Sequence, residues 1–205
     1  MREALCRALS LHAGRELTPE VARSIVLSVM GERAPIDLTR YTPQTWGDYV
    51  IQAERFADVL PELHPLHVLH WRETEGYRHG LALDPDYAAM VAREEAGGCL
   101  QLTVRHLHGM HLRGHLRMWI SSSLHTKTLY ADEDTLFLDP HHRGSFLVMA
   151  LMRYAEACVL PLGVREIRAN SKKANKAGVL MRRLGYDHVA DQFVKVFPEE
   201  QHEPA

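Results

Sequence analysis

The hydrophobic period of this chain changes twice, and those changes restrict its fold more than any other feature. Helical spacing in YAAMVAREEA gives way to strict alternation in CLQLTVRHL and MHLRGHLRMWISSS. After TLFLDP the pattern turns helical again in SFLVMALMRYAEACVL. A chain patterned this way must pack helices against a sheet, which places it in the α/β (α+β) class.

Local signals set the element order. Thr18-Pro19-Glu20 supplies an N-cap and a proline at the first helical position, so a helix is expected from there to Met30, stopping at Gly31. Residues 34–80 are rich in Pro, Trp, Tyr and His and weakly periodic, with one helix expected at about 45–59. Asp84-Pro85-Asp86 opens the next helix, and Gly97-Gly98 closes it.

The two alternating runs are joined at His108-Gly109, which predicts an antiparallel hairpin with a two-residue link. That link puts Thr103, Arg105 and Leu107 on one face with Met110, Leu112, Leu116 and Met118, the better core face. Leu102, Val104 and His106 then share the other with His111, Arg113, His115 and Arg117. A short apolar strand, TLFLDP, leads into a helix over 145–160. Strand VREIRAN, helix NKAGVLMRRL ending at Gly185 and a final strand HVADQFVKVF follow. No linker or repeat divides the chain. A single domain is expected over 1–197, with 1–80 helping to shape an acceptor site and 198–205, PEEQHEPA, as a disordered tail.

The formal charge of −2 over 205 residues gives no global attraction to nucleic acid or anionic lipid, so nucleic-acid binding is not expected. No stretch approaches the roughly 18 apolar residues of a membrane span, and MREALCRALSLHAGRE lacks an apolar signal core. A cytoplasmic protein is expected. The three cysteines, Cys6, Cys99 and Cys158, are far apart and without metal-ligand spacing, and are read as reduced. The 14 histidines fall in groups, yet zinc is not expected. Pro65 interrupts the helix that would stack His64, His67 and His70, and His106, His108, His111 and His115 are spread over two strands.

Chemistry concentrates at the junction DPHHRGSF, where strand turns directly into helix. A helix N-terminus offers unpaired N–H groups and the positive end of its dipole, which together suit a phosphate. Arg143 adds charge, Gly144 allows close backbone approach, and Ser145 either caps the helix or donates to an anion. Ordinary helix capping explains the same residues, and taken alone the junction does not separate the two.

The ordered set of motifs, from the PHHRG turn through RYAEA and EIRAN to the terminal MRRLGYDHVADQFVKVF, resembles the GNAT acetyltransferase superfamily over residues 84–197. More narrowly, LHTKTLYADEDTLFLDPHHRG followed by RYAEA resembles the GNAT-like proteins of tailed bacteriophages and prophages. The resemblance implies a central mixed, mostly antiparallel sheet flanked by helices, and acetyl-CoA as cofactor. It implies that Leu136, Phe137 and Leu138 run beside the pantetheine arm. His142, Arg143, Gly144, Ser145, Phe146 and Val148 would meet the pyrophosphate, with Asn170 and Asn175 hydrogen bonding further along. Phe146 and Val148 stand where the family has small residues. A base is expected at Asp134 or Glu133, with alternation placing Asp132 and Asp134 on one face and Glu133 on the other. Lys172, Lys173 and Lys176 are further candidates for the cofactor's phosphates, or simply a solvated face.

The family's usual acid position is occupied by Met181, leaving the leaving thiolate to solvent or to another group such as Tyr130. Tyr186 fits core packing, and His115 and His125 are secondary titratable candidates. The implied activity is transfer of acetyl to an unidentified primary amine; a homodimer is compatible with it. The alternative is a GNAT-fold binding or virion-associated protein without catalysis.

Overall fold

The computed structural model describes residues 2–30, 34–76, 80, 82–144, 146–172 and 177–195. Six strands form one sheet in sequence order: β1 (Gln44–Trp46), β2 (Tyr49–Ala53), β3 (Cys99–His106), β4 (Leu112–Ser122), β5 (Leu129–Leu138) and β6 (Val164–Arg168). All neighbours are antiparallel except β5 and β6, which are parallel. Helices α3 (Phe56–Thr74) and α4 (Tyr87–Glu95) pack on one face; α5 (Leu147–Val159) and α6 (Ala177–Arg183) pack on the other. Two further helices, α1 (Arg2–Leu11) and α2 (Pro19–Met30), pack on each other, with His12 Nε2 3.2 Å from Ser24 Oγ.

Helix α4 starts as its sequence requires: the Asp86 carboxylate accepts from Ala89 N at 2.9 Å. The expected helix at 45–59 is instead a hairpin followed by α3. Gly47, at φ +55°, makes the tight turn between Trp46 and Tyr49, and Val50 and Ile51 are better suited to a strand than to a helix. Helix α3 then runs through both Pro61 and Pro65, although Pro65 was expected to interrupt it. Both prolines and Ala57 lie on the exposed side, where the carbonyls left without an N–H partner meet water.

The β3–β4 hairpin has the expected pairing but a different register. Its link is a longer turn, with Gly109 and Met110 at positive φ and His106 N bonded to His111 O at 3.0 Å. Leu102 therefore opposes Leu116 and Thr103 opposes His115, which corrects the expected faces by one residue. Leu100, Leu102, Val104, Leu116, Met118 and Ile120 form the main core with Leu147, Leu151, Met152 and Ala155 of α5. The opposite face is polar yet buried: Gln101, Thr103, Arg105, His115 and Arg117 lie beneath α3 and α4, beside a smaller apolar cluster of Phe56, Val59, Leu63, Leu66, Leu112 and Phe137. The last expected strand does not form over its described residues, 188–195, which are exposed and outside the sheet, and 196–205, including the expected tail, lie outside the described residues.

Gly114 marks where the hairpin meets β5 closely. A Cβ there would stand 2.8 Å from the Phe137 carbonyl oxygen and 3.2 Å from Leu138 Cα, both backbone atoms that cannot step aside. Gly114→Ala should therefore lower stability by about 2 kcal/mol and the melting temperature by roughly 4–8 °C. Thermal unfolding followed by circular dichroism checks this; an unchanged midpoint would contradict the register.

Candidate cofactor cleft and active site

Parallel pairing between β5 and β6 runs from Leu129↔Val164 to Asp132↔Arg168 and then stops. Strand β5 continues to Leu138, bonded only to β4, so its other edge from Glu133 onward has no strand partner among the described residues. The two strands part here, leaving a gap along β5 in which its backbone groups have no ladder partner among the described residues. At its apex Glu133 is 8% exposed and its Oε2 accepts from Asn170 N at 3.1 Å. Burial pushes the Glu133 carboxyl up to about 7, against the pull of the Asn170 amide.

A bulge between Arg117 and Met118 in the register leaves Asp134 without a partner on β4, and sets which face of the sheet each of the two candidate carboxylates takes. Glu133 lies on the α5 side opposite Met118, whereas Asp134 turns to the α3 side and meets Arg117, with Arg117 Nη2 2.7 Å from Asp134 Oδ2 and Nε at 2.8 Å. Asp132, opposite Trp119, shares that side. Burial by itself would raise the Asp134 carboxyl, but the charge and hydrogen bonds of Arg117 outweigh it and hold it below the usual range. Asp134 is thus a fixed counterion, while Glu133 titrates near neutrality. Only the second state suits a general base.

The junction after β5 is built from local bonds. Asp139 Oδ1 accepts from His141 N at 3.0 Å, capping the short turn Pro140–His142. Gly144 has φ +138°, and no heavy atom lies within 4 Å of where its Cβ would stand. Phe146 has left-handed geometry, φ +56° and ψ +19°, and precedes α5 with no side-chain cap. Its ring is 63% exposed, so it does not fill the turn; it walls a groove of about 480 Å³ with Trp46, Met149, Ala150, Arg153 and Arg183. Val148 packs against the main core.

Other expected cofactor residues are engaged elsewhere. Arg143 donates through Nε to Leu138 O at 2.9 Å and through Nη1 and Nη2 to Glu73 of α3 at 3.0 and 2.5 Å. His142 Nδ1 is 2.9 Å from Tyr49 Oη. Leu136 is half-buried, Phe137 is buried under α3, and Leu138 belongs to the α5 core. Lys172 is ion-paired with Glu75, and the Asn170 side chain is exposed. Ser145, Lys173, Asn175 and Lys176 lie outside the described residues. Met181 is in the main core beside Leu184 and Tyr186. Tyr130 lies under the Arg168 guanidinium, 3.9 Å from ring centre to Cζ.

Sequence reasoning missed the polar floor beneath α3. His115, read as a strand histidine near the surface, is fully buried with neither ring nitrogen bonded, and its ring centre is 5.0 Å from that of His67. His67 Nε2, Arg117 Nη1 and Gln101 Oε1 are likewise buried without a bonded partner. On the outer side, Tyr87 Oη lies 2.9 Å from His67 Nδ1 and 3.0 Å from His64 Nδ1. Burial, then Arg117, lowers the His67 imidazole to about 4, and burial beside His67 and Arg117 holds His115 well below its ordinary value, so both are neutral. The only signal for this floor is that Gln101, Thr103 and Arg105, then His115 and Arg117, recur at every second position. Among the described residues no group of three or more His, Cys, Asp or Glu side chains is placed to hold a metal ion, and no helix is long and apolar enough to cross a membrane.

No protein-family profile matches the sequence, and no curated protein matches it. Solved structures do share its architecture. A ribosomal-protein-alanine N-acetyltransferase from Brucella melitensis biovar Abortus 2308 superposes with a TM-score of 0.59 at 15% identity, over 74% of this chain and 99% of that one. An aminoglycoside acetyltransferase from an uncultured soil metagenomic sample gives 0.57 at 12% identity, over 75% and 97%. A GNAT family acetyltransferase from Staphylococcus aureus gives 0.52 at 14%, over 73% and 99%. At these identities the likeness is one of fold: the chain has the GNAT acetyltransferase fold, with a mixed sheet flanked by helices.

The Arg117–Asp134 pair generates a stability prediction. Asp134→Asn leaves a buried guanidinium without its counterion and should cost about 2–4 kcal/mol at pH 7. Because the carboxyl is depressed in the folded protein, its contribution is present above its ordinary range and lost as pH falls through the folded value. Urea unfolding of both proteins at pH 7 and in acid should show a difference that shrinks with acidification. A difference independent of pH would contradict the pairing.

Proposed function

We propose that the chain is an acetyl-CoA-dependent N-acetyltransferase acting on a primary amine. The observation that carries this is the parting of β5 and β6, with a carboxyl titrating near 7 at its apex and an uncapped helix N-terminus at its mouth. The residues present fit the cofactor. Gly144 leaves space against its backbone, while Phe146 and Val148 are turned out of the junction. The amides around Arg143–Phe146 and the α5 dipole would hold the pyrophosphate, with Ser145 and His142 at its border. The edge at Leu136, Phe137 and Leu138 would bond the pantetheine arm, and Asn170 would reach it from the β6 side, with Asn175 a further candidate for the same contact. Use of this cofactor is consistent with a cytoplasmic protein.

Bound there, the cofactor supplies an acetyl group activated as a thioester. Glu133 then does what its environment equips it for: unprotonated above about pH 7, it takes a proton from the amine. Asp134 keeps Arg117 in place rather than exchanging protons. With Met181 in the core, the returning proton comes from protonated Glu133 or from solvent.

A second function is favoured by two observations, the buried Met181 and the engagement of Arg143 by Glu73: a GNAT-fold binding or virion-associated protein without turnover. The narrower likeness to phage and prophage proteins rests on residues 124–144 and the RYAEA run.

Two measurements test the enzymatic reading. Calorimetry should show coenzyme A binding to the wild type and no binding to Gly144→Asp, which puts a side chain and a negative charge against the phosphates; equal binding by both would remove the site from this turn. With a panel of primary amines, kcat/KM should rise with pH through about 7, and Glu133→Gln should lower it on the order of 10²-fold and abolish that limb while leaving cofactor affinity unchanged. A wild type that binds coenzyme A but acetylates no amine would favour the second function.

A further inference from the structure

The C-terminal end of α3 spans both lips of the cleft. Glu73, in its last turn, holds Arg143 on the lip after β5, and Glu75, its C-cap residue, holds Lys172 on the lip after β6. These are two cations that would otherwise face the phosphates of coenzyme A. The end of α3 also carries the negative pole of its helix dipole, so two carboxylates and that pole stand where an anion must enter. While those two ion pairs hold, neither cation is free to meet a phosphate.

The helix is suited to yield. Pro61 and Pro65 remove two of its internal hydrogen bonds. On its inner face His67 Nε2, and beneath it atoms of His115, Arg117 and Gln101, are unbonded, groups that folded proteins ordinarily pair with protein, water or ligand. The closed position therefore covers a surface equipped to bind something.

We propose that the end of α3 is a latch: Glu73 and Glu75 close the cofactor mouth by occupying Arg143 and Lys172, and the phosphates of coenzyme A open it by taking those two cations. This rests on the cleft being the coenzyme A site. Binding of the cofactor then frees the end of α3.

The test compares wild type with the Glu73→Gln/Glu75→Gln double variant. Coenzyme A should bind the variant about 10-fold more tightly. Because removing two negative charges favours any anion, the decisive readout is amide hydrogen exchange along α3. In wild type, coenzyme A should speed exchange in the last two turns; in the double variant those amides should already be fast and unaffected by ligand. Coenzyme A that binds wild type without changing α3 exchange, or binds both proteins equally, overturns the latch and leaves the cleft assignment standing. Failure of both proteins to bind coenzyme A overturns the cleft assignment and the latch with it. The wild-type exchange measurement needs no variant, so a misfolded mutant does not obscure the outcome.

Discussion

Parallel pairing between β5 and β6 ends after Asp132 and Arg168, and the rest of the candidate site is arranged around that end. Had β6 continued alongside β5, the edge from Glu133 to Leu138 would be sealed by ladder hydrogen bonds. Instead the chain leaves at Asn170, whose amide turns back to the Glu133 carboxylate. One bond thus marks the apex of the cleft and fixes its carboxyl group. The core sustains the separation: α5 covers one face with Leu147, Leu151 and Ala155, all fully buried, so β5 stays with β4 rather than following β6.

A single bulge accounts for the different chemistry of two adjacent carboxylates. Without it, Asp134 would pair within the ladder, and its meeting with Arg117 would be lost. With it, Asp134 neutralises a guanidinium that would otherwise be buried unpaired, and at Glu133 burial outweighs the pull of the Asn170 amide and of Lys172. Desolvation then sets the Glu133 carboxyl near 7, the range in which a carboxylate both holds and releases protons at neutral pH. The polar floor beneath α3 depends on the same guanidinium, which also lies 5.2 Å from the Phe56 and Trp119 ring centres.

Features set by neighbouring residues were legible in the sequence. The Asp86 cap of α4, the strand-to-helix junction at 139–147 and the opposite facing of Glu133 and Asp134 all follow from local capping or alternation. Features that depend on distant partners were not. Proline content argued against a helix at 61–65, and only the sheet packed against its inner face makes α3 continuous. The hairpin register turned on Met110 adopting φ +52°, which no residue type announces. Glu73 lies 70 residues from Arg143, so nothing in the PHHRG run could show that its arginine was already held.

The central claim is that the parted edge of β5 and the start of α5 form one cofactor site. Titration of the isotopically labelled protein with coenzyme A, followed by backbone amide NMR, tests it most directly. Shifts should concentrate at residues 133–138, 142–148 and around 170, and the Leu136–Leu138 amides should become protected from exchange. Shifts confined to other surfaces, or a saturating ligand that leaves the β5 edge unperturbed, would contradict it.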